Sequence, residues 1–321
     1  MTTTGSERRK LIQSNDNGVV FIVIVKLALQ ACAENKKRKA RNIIKFIFRA
    51  LVFHRYFRQM FNIFGHGERS QVLIEQPKYL MKCMIPFLHV GLSKQTIIEL
   101  LDAHYDWLES TFTESARKKI YLEHIVLNTL EADDLRCHLT LNFDVKVRKE
   151  GELALSLIDD TGYQYYTLAF TCQNNSFHIG CIQGSIDDNG FSHAFTKAFH
   201  GMRPKSFMVE SLRLLAQPLH IQHIYAVKNE SHIYNAKRYH GKAQRFNLNY
   251  DQLWEELDGV EHDQWFYELP LVSKRRPLEE IKRSRRKTYR MRYEWLEHYQ
   301  CVLSQALSPY LIEKKDYKIT S

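Results

Sequence analysis

The first part of the chain shows a helical spacing of its apolar residues. Residues 19 to 64 are predicted to be helical, and the segment Asn42–Phe64 is apolar around most of its circumference. Two further helices are predicted to begin after Ser93 and after Thr113, because a hydroxyl side chain caps a helix N-terminus well.

Beyond Asp134 the apolar spacing changes from a helical period to a period of two. Alternation from Leu135 to Val147 predicts one long strand, and a turn at Lys149 to Gly151 leads into an antiparallel meander. The remaining predicted strands are 153–159, 163–172, 177–184, 221–227 and 265–270, and the remaining predicted helices are 204–217, 250–257 and 277–307.

This order of elements predicts an α+β (α/β-like) fold. We expect a central mixed, mostly antiparallel sheet with a helix crossover, an N-terminal helical region and a long C-terminal helix. The predicted domains are an N-terminal helical region with a basic helix over 1–92, a mixed α/β core over 93–270, and a C-terminal basic helix and tail over 271–321.

The formal net charge of +10 is concentrated in two helical segments. Lys36 to Arg58 holds nine basic residues and no acid, with Arg41, Lys45 and Arg49 in one row at every fourth position, and Lys274 to Arg292 holds ten basic residues against two acids. The rest of the chain is mildly acidic. This pattern disfavours a core that binds nucleic acid and favours two positive surfaces facing something anionic; two solvated helix faces are the alternative.

Cysteine usage and hydropathy place the chain in a reducing compartment. The six cysteines have neither CxxC nor Cys/His metal spacing, so we predict free thiols, no metal site and a cytoplasmic protein. The apolar run Val19 to Val25 is broken by Lys26 and is much shorter than the roughly 20 residues of a spanning helix. Neither export nor a transmembrane segment is predicted.

The tract HGMRPK, at the predicted start of the crossover helix, is a candidate anion site. A helix N-terminus offers free N–H groups, Gly201 permits close approach of a ligand, and Arg203 and Lys205 add positive charge. Pro204 suits the first turn because it has no N–H to lose. The tract therefore predicts a phosphate or pyrophosphate seat that includes His200; a capped helix with two solvated cations is the alternative.

A second polar tract follows the strand that ends at Val227, where open α/β sheets bind ligands. Its polar residues are Asn229, His232, Tyr234, Asn235, Arg238 and Tyr239. His232 or Tyr234 can act as a general acid or base. Gln183 and Gly184 close an earlier strand, where a glycine permits a bulge that exposes backbone groups or simply ends the strand.

Glu210 lies in the middle of the crossover helix. An ion pair with Arg213, three residues further along, is its expected role. The alternative is that its carboxylate orients a neighbouring histidine or arginine of a site.

Several of these tracts together resemble the VirK/YbjX family of bacterial proteins, over about Phe61 to Tyr293. The residues that carry the resemblance are GCIQG, HGMRPK with VESLRLLA, IQHIYAVKNESHIY and YDQLWEELDG. The resemblance implies a bacterial protein that is cytoplasmic or peripheral to the inner membrane. Members of this family are associated with virulence and with resistance to membrane-active peptides.

The order of elements is also similar to the layout of GNAT acyltransferases. That likeness implies that the HGMRPK loop binds the pyrophosphate of acyl-CoA and that Tyr234 or Tyr239 is a general acid. The chain departs from the layout by having a single glycine in this loop and an insertion at 185–200. Toxin-activating acyltransferases share the layout but use acyl carrier protein, an acidic partner that the basic helices would suit.

We therefore expect an acyltransferase acting on an envelope-related or protein acceptor, with acyl-CoA or acyl carrier protein as co-substrate and no tightly bound cofactor. A noncatalytic regulator or adaptor at the inner face of the membrane is the alternative, and a nucleic-acid role ranks third. The predicted catalytic residues are His232, Tyr234 and Tyr239, and the predicted binding residues are Gln183, Gly184, His200, Gly201, Arg203, Lys205 and Asn229.

Overall fold

The computed structural model describes residues 17–32, 39–132, 135–239 and 249–313. The chain forms two compact units: one comprises the residues up to Ile85 with Ser93–Asp102, and the other comprises Pro86–Leu92 with the residues from Ala103 onward. The division falls within one helix, and the three-part domain division stays a prediction. Lys36 to Arg38 of the basic segment and the end of the second polar tract, His240 and Gly241, lie outside the described residues.

The first unit is helical. Its helices are α1 (Asn17–Ala31), α2 (Lys39–Val52), α3 (His54–Phe64), α4 (Ser70–Glu75), a 3₁₀ segment (Pro77–Met84) and the beginning of α5 (Lys94–Thr111).

The single helix predicted over 42–64 is wrong, because the chain turns at Phe53 between α2 and α3. The turn brings the ring of Phe57 to 6.2 Å from that of Phe46. In one continuous helix these residues would be about 16 Å apart along the axis. Burial of both rings in one core therefore favours the break.

The second unit consists of one sheet and the helices around it. Its strands are β1 (Ile125–Ala132), β2 (Leu135–Asn142), β3 (Leu153–Ile158), β4 (Gln164–Gln173), β5 (Ser176–Gly184), β6 (His223–Val227), β7 (Val260–Glu261) and β8 (Phe266–Leu269). Its helices after α5 are α6 (Glu114–Leu122), α7 (Phe191–Ala198), α8 (Pro204–Ala216), α9 (Tyr250–Glu256) and α10 (Arg286–Leu307).

The strand order is β1-β2-β3-β4-β5-β6-β8-β7. β5 and β6 pair in parallel, and the other neighbouring strands pair antiparallel. The crossover between the parallel strands contains α7 and α8, as a parallel connection requires. The predicted mixed, mostly antiparallel sheet with a helix crossover is therefore confirmed, together with the N-terminal helical region and the long C-terminal helix.

Two strand predictions need correction. β2 ends at Asn142 rather than at Val147. The alternation of apolar residues continues beyond the end of the strand, where Val145 is 54% exposed. β1 was not predicted, because a register shift between Val126 and Asn128 breaks the period of two on which the pattern depends.

Helix starts follow the predicted caps in the middle of the chain but not near its end. The Ser93 hydroxyl accepts from the Thr96 N–H, and the Thr113 hydroxyl accepts from the Ala116 N–H. The long C-terminal helix begins at Arg286 instead of Pro277. The guanidinium of Arg286 donates to the carbonyl of Ile281, a buried residue, and so stabilises the irregular turns that precede the helix.

Candidate functional site

The parallel pair of strands separates at its carboxyl end. β5 and β6 pair from Ser176 with His223 to Ile179 with Ala226. β5 then continues to Gly184 beside β4, whereas β6 ends at Val227. The end of β5 and the residues that follow β6 therefore diverge from the carboxyl end of the parallel pair. Open α/β sheets bind ligands at such a place.

A bulge at Gly180 admits another chain segment to this edge. The register of β5 against β4 shifts here, since Ala169 pairs with Cys181 and Phe170 pairs with Ile179. A Cβ atom on Gly180 would lie 1.7 Å from the carbonyl oxygen of Glu150. Only glycine permits this approach. The predicted possibility of a bulge at Gln183–Gly184 applies instead to Gly180, and Gly184 is the last residue of the strand.

The carboxyl group of Glu150 is the centre of a buried polar cluster. Its Oε1 accepts a hydrogen bond of 2.7 Å from the side-chain amide of Gln183 and lies 3.3 Å from Nε2 of His232. Burial, and then the neighbouring Glu150 carboxylate, raise the pKa of the Cys181 thiol, which is hydrogen-bonded to that carboxylate. Glu150 is 1% exposed. Sequence reasoning missed this residue, because an acid in a predicted turn is usually solvated.

His232 faces Glu150 with a defined ring nitrogen. Its Nδ1 accepts from the backbone N–H of Tyr234 at 3.4 Å, which assigns the ring hydrogen to Nε2. Nε2 lies near Glu150, but the two groups do not form a hydrogen bond. Nε2 has no hydrogen-bond partner among the described residues. His232 is fully buried, so it reaches a ligand only through its neighbours.

The segment Pro86–Leu92 holds the two sides of this cluster together. The N–H of Leu88 donates to the carbonyl of Lys149, and the N–H of Val90 donates to the carbonyl of Ser231. These two acceptors immediately precede Glu150 and His232 in the chain. The separation between the carboxyl group and the imidazole is therefore fixed by backbone hydrogen bonds.

Two tyrosines lie beside His232, and a third lies beside one of them. The rings of Tyr234 and Tyr250 lie 5.0 Å and 5.6 Å from the imidazole, and Tyr239 lies 5.8 Å from Tyr234. Burial, and then the Glu150 carboxylate, raise the pKa of the Tyr234 phenol, which is half-buried. Burial also raises the pKa of Tyr239. Tyr234 is therefore held protonated at an edge of the cluster that solvent reaches.

Asn229 has a structural role at the same edge. Its Oδ1 accepts from the N–H of Tyr250 at 2.6 Å, and its own N–H donates to Asp251 at 2.8 Å. These bonds fix the start of α9. The phenol of Tyr250 in turn hydrogen-bonds both the N–H and the carbonyl of Ile182, in the part of β5 that extends beyond its pairing with β6. The structure thus brings together Gln183, Asn229, His232, Tyr234 and Tyr239.

The HGMRPK tract lies at a different place, between α7 and α8. His200 and Gly201 line a recess of about 510 Å³, and both have positive φ angles. The other lining residues are His193, Thr196, Lys197, Lys287, Thr288 and Met291. The N–H of Gly201 donates to the carbonyl of Thr196, so it is already engaged. The positive charge at the recess therefore comes from the side chains of Lys197 and Lys287 rather than from this backbone group.

Arg203 and Lys205 are not among the residues that line the recess. Arg203 pairs with Glu256, the last residue of α9. Burial lowers the pKa of Lys205, and the charge of Arg203 lowers it further. Because Tyr250 begins the helix that Glu256 ends, Arg203 and the buried cluster are linked through α9 over about 9 Å of helix axis.

The predicted pairing of Glu210 with Arg213 is confirmed. The guanidinium of Arg213 lies 3.3 Å from Glu210 and donates to the carbonyl of Leu257 at 2.6 Å. Ser273 donates to the other carboxylate oxygen of Glu210. The Arg213 side chain is buried and that of Glu210 is 13% exposed, and the pair is a structural element rather than a part of the cluster.

The described part of the chain contains no group of three or more His, Cys, Asp or Glu side chains arranged to hold a metal ion. Within the same residues, no helix is both long enough and apolar enough to cross a membrane. All six cysteines are free thiols, five of them buried and Cys301 exposed.

Comparison with known proteins gives relatives of undefined activity. Residues 35–305 match the family described as "Protein of unknown function (DUF535)". The chain is 31% identical over 267 residues to "Uncharacterized protein YbjX" of Escherichia coli K12, an alignment that covers 80% of each chain. It is 32% identical over 179 residues to an uncharacterized protein of Haemophilus influenzae, covering 54% of this chain and 58% of that protein. No solved structure matches the chain.

Proposed function

The chain belongs to the VirK/YbjX family, described as DUF535, and from that premise we propose that it is an acyltransferase with a GNAT-like sheet. The family assignment confirms the resemblance seen in the sequence and carries no reaction with it. The proposal depends on one observation: the half-buried phenol of Tyr234 follows the carboxyl end of the parallel pair β5–β6, beside the buried Glu150–His232 pair.

The chemistry we propose is transfer of an acyl group from a thioester. The acceptor oxygen or nitrogen attacks the carbonyl carbon, the carbon–sulfur bond breaks, and the leaving thiolate takes a proton. Tyr234, which its raised pKa keeps protonated, supplies that proton to the leaving sulfur. The acceptor releases its own proton to solvent, and solvent reprotonates the phenolate of Tyr234. Glu150 and His232 have no exposed side-chain surface to offer a substrate, so we assign them to positioning Tyr234.

The donor is acyl-CoA or an acyl carrier protein, both of which carry phosphate on the arm that ends in the thioester. Lys197 and Lys287 supply positive charge to the recess beside α8, and that charge supports a phosphate there. Acylation of an envelope component would connect this reaction to the virulence and peptide resistance that the family resemblance implies. We place the reaction in the cytoplasm or at the inner face of its membrane.

The deciding experiment measures donor binding and transfer separately. The purified full chain is screened for thermal stabilisation by acetyl-CoA, by a long-chain acyl-CoA and by acylated carrier protein. A donor at a hundredfold excess over its Kd should raise the free energy of unfolding by about 2.7 kcal/mol. Labelled acyl transfer into cell-envelope extract is then compared between the wild type, Tyr234→Phe and Tyr225→Phe, a second half-buried tyrosine in β6.

We expect Tyr234→Phe to keep donor binding and to lose transfer by about a hundredfold or more, while Tyr225→Phe retains both. Lys197→Glu with Lys287→Glu should weaken donor binding instead. Absence of both stabilisation and transfer with every donor would refute the enzyme and leave the noncatalytic adaptor as the function. Full transfer by Tyr234→Phe would refute the role assigned to Tyr234.

A further inference from the structure

Helix α2 exposes apolar side chains as well as basic ones. Ile44, Phe48, Leu51 and Val52 are 67%, 65%, 47% and 52% exposed. The first three lie within about 60° of one another on the helix circumference, at 3.6 residues per turn. The opposite face buries Phe46 and Ala50 in the core of the first unit. The exposed residues therefore form a second apolar stripe, which the folded core does not use.

Positive charge borders this stripe. Arg41 and Lys45 are exposed and Arg49 is half-buried, and the three form a row along the side of α2 next to Phe48. None of the three has a carboxylate within ion-pair distance in the described part of the chain. α2 and α3 contain no acidic residue at all. Helix α2 therefore exposes to solvent both apolar side chains and basic side chains that have no ion-pair partner among the described residues.

We infer that α2 docks on the surface of an anionic lipid bilayer. A helix that lies in the membrane interface buries an apolar stripe among the acyl chains and sets basic side chains against the lipid phosphates. Phe48 and Ile44 would enter the bilayer, and Arg41 and Lys45 would contact the headgroups. The charge requires an anionic surface, since a neutral bilayer gives the cations nothing to pair with. The inference does not depend on the acyltransferase proposal, because α2 contributes no residue to the buried cluster.

The neighbouring helix α1 has the same character on a smaller scale. Ile22 and Leu29 are about half exposed, and the exposed Lys26 lies between them in the sequence. Lys26 is the single charged residue of α1. A second helix of the same unit thus adds apolar surface and positive charge without adding an acid.

The test is co-sedimentation of the full chain with vesicles of phosphatidylcholine alone or of equal parts phosphatidylcholine and phosphatidylglycerol. We expect binding to the anionic vesicles that falls as salt is raised. Phe48→Ser should weaken binding by about tenfold or more, and Lys45→Glu by about fivefold or more. Ile44→Ser repeats the first test at an equally exposed position.

Two control variants match these changes elsewhere in the chain. Val272→Ser alters an apolar residue that is 80% exposed, and Lys146→Glu makes the same charge change in an exposed turn outside both basic segments. Both should bind within twofold of the wild type. Equal binding to the two kinds of vesicle, or unchanged binding by Phe48→Ser and Ile44→Ser, would overturn the inference. It would also be overturned if sedimentation velocity showed that these variants dissociate a dimer without altering vesicle binding, since the stripe would then be a contact between copies of this chain.

Discussion

The carbonyl oxygen of Glu150 occupies the space beside Gly180 in which any other residue would place its Cβ atom, 1.7 Å away. We predict that Gly180→Ala destabilises the fold by about 3 kcal/mol, because backbone atoms cannot yield as a side chain does. Urea unfolding of the full chain measures the change.

Gly184→Ala, at the end of the same strand, is the matched control. The added Cβ would lie 3.0 Å from the ring of Tyr166, a side chain that can move. We expect a cost below about 1.5 kcal/mol. Equal costs for the two glycine variants would mean that the contact between Glu150 and Gly180 is not tight.

The buried pair Glu210–Arg213 should show strong energetic coupling. Replacing either residue alone, as Glu210→Leu or Arg213→Met, leaves one charge buried without its partner and should cost about 3 to 5 kcal/mol. The double variant should cost less than the sum of the single variants by about 1 to 3 kcal/mol.

The exposed pair Glu114–Lys118 offers the comparison for this double-mutant cycle. Its nitrogen and oxygen lie 2.5 Å apart, but more than half of each side chain is exposed. Its coupling should be much weaker than that of Glu210–Arg213, because solvent screens exposed charges. A coupling for Glu210–Arg213 that is no larger would show that burial does not strengthen the pair.

We predict that the free energy of unfolding decreases in mild acid because of two histidines, His89 and His178. Burial lowers the pKa of His89 and of His178 from 6.5 to about 4. Nδ1 of His89 accepts from the N–H of Gly91, which protonation of that nitrogen would prevent. As the pH falls, the two histidines take up protons in the unfolded chain before they do so in the folded protein. Their contribution to the free energy of unfolding is therefore complete above pH 6.5 and is lost as the pH drops toward 4. Each ring accounts for up to about 3 kcal/mol.

His178→Phe isolates one of these contributions. The aromatic replacement keeps a ring beside Tyr225 and Phe266, which lie 5.3 Å and 5.5 Å from the imidazole. The free energy of unfolding should then fall less between pH 7 and pH 4.5 than it does in the wild type. An identical pH dependence in the variant would show that His178 is protonated in the folded protein.

Thiol reactivity should single out Cys301. It is exposed on α10, whereas the other five cysteines are buried, and burial raises the pKa of Cys83 and of Cys137 to about 12. A thiol reagent should modify one cysteine rapidly in the native protein and six in denaturant. Cys301→Ser should remove the rapid phase. Rapid modification of a second thiol would mean that one of the buried cysteines is reached by local opening.

The antiparallel meander of β2 to β5 could be predicted from the sequence because these strands follow one another along the chain. Turn residues such as Asn174 and Asn175, both with positive φ, mark the point at which β4 reverses into β5. Places where the backbone departs from regular geometry were not predictable. The bulge in β1, the turn at Phe53 and the late start of α10 all depend on packing or hydrogen bonds between residues that a periodic pattern does not contain.

The candidate site was predictable in the same uneven way. The polar residues after β6 were recognised, and the structure gathers His232, Tyr234 and Tyr239 at one edge. Glu150 was not recognised, because its burial arises from contact with β5, far along the chain. The role of Asn229 could not be predicted either, since the helix whose start it fixes begins 21 residues later. Local signals identify candidate groups, and long-range contacts decide which of them become neighbours.

The strap Pro86–Leu92 has a consequence for the order in which the protein is assembled during synthesis. Strands β1 to β5 pair with sequence neighbours, so a nascent chain can form them before the remainder is made. The cluster around Glu150 needs in addition the residues that follow β6 and the helix α9, which appear later. Until these later residues are synthesised, Pro86–Leu92 can form its hydrogen bond to Lys149 but not the one to Ser231. The Glu150 carboxyl group then lacks His232 as a neighbour. A polypeptide interrupted after β5 would thus contain most of the sheet and none of the groups proposed to do chemistry.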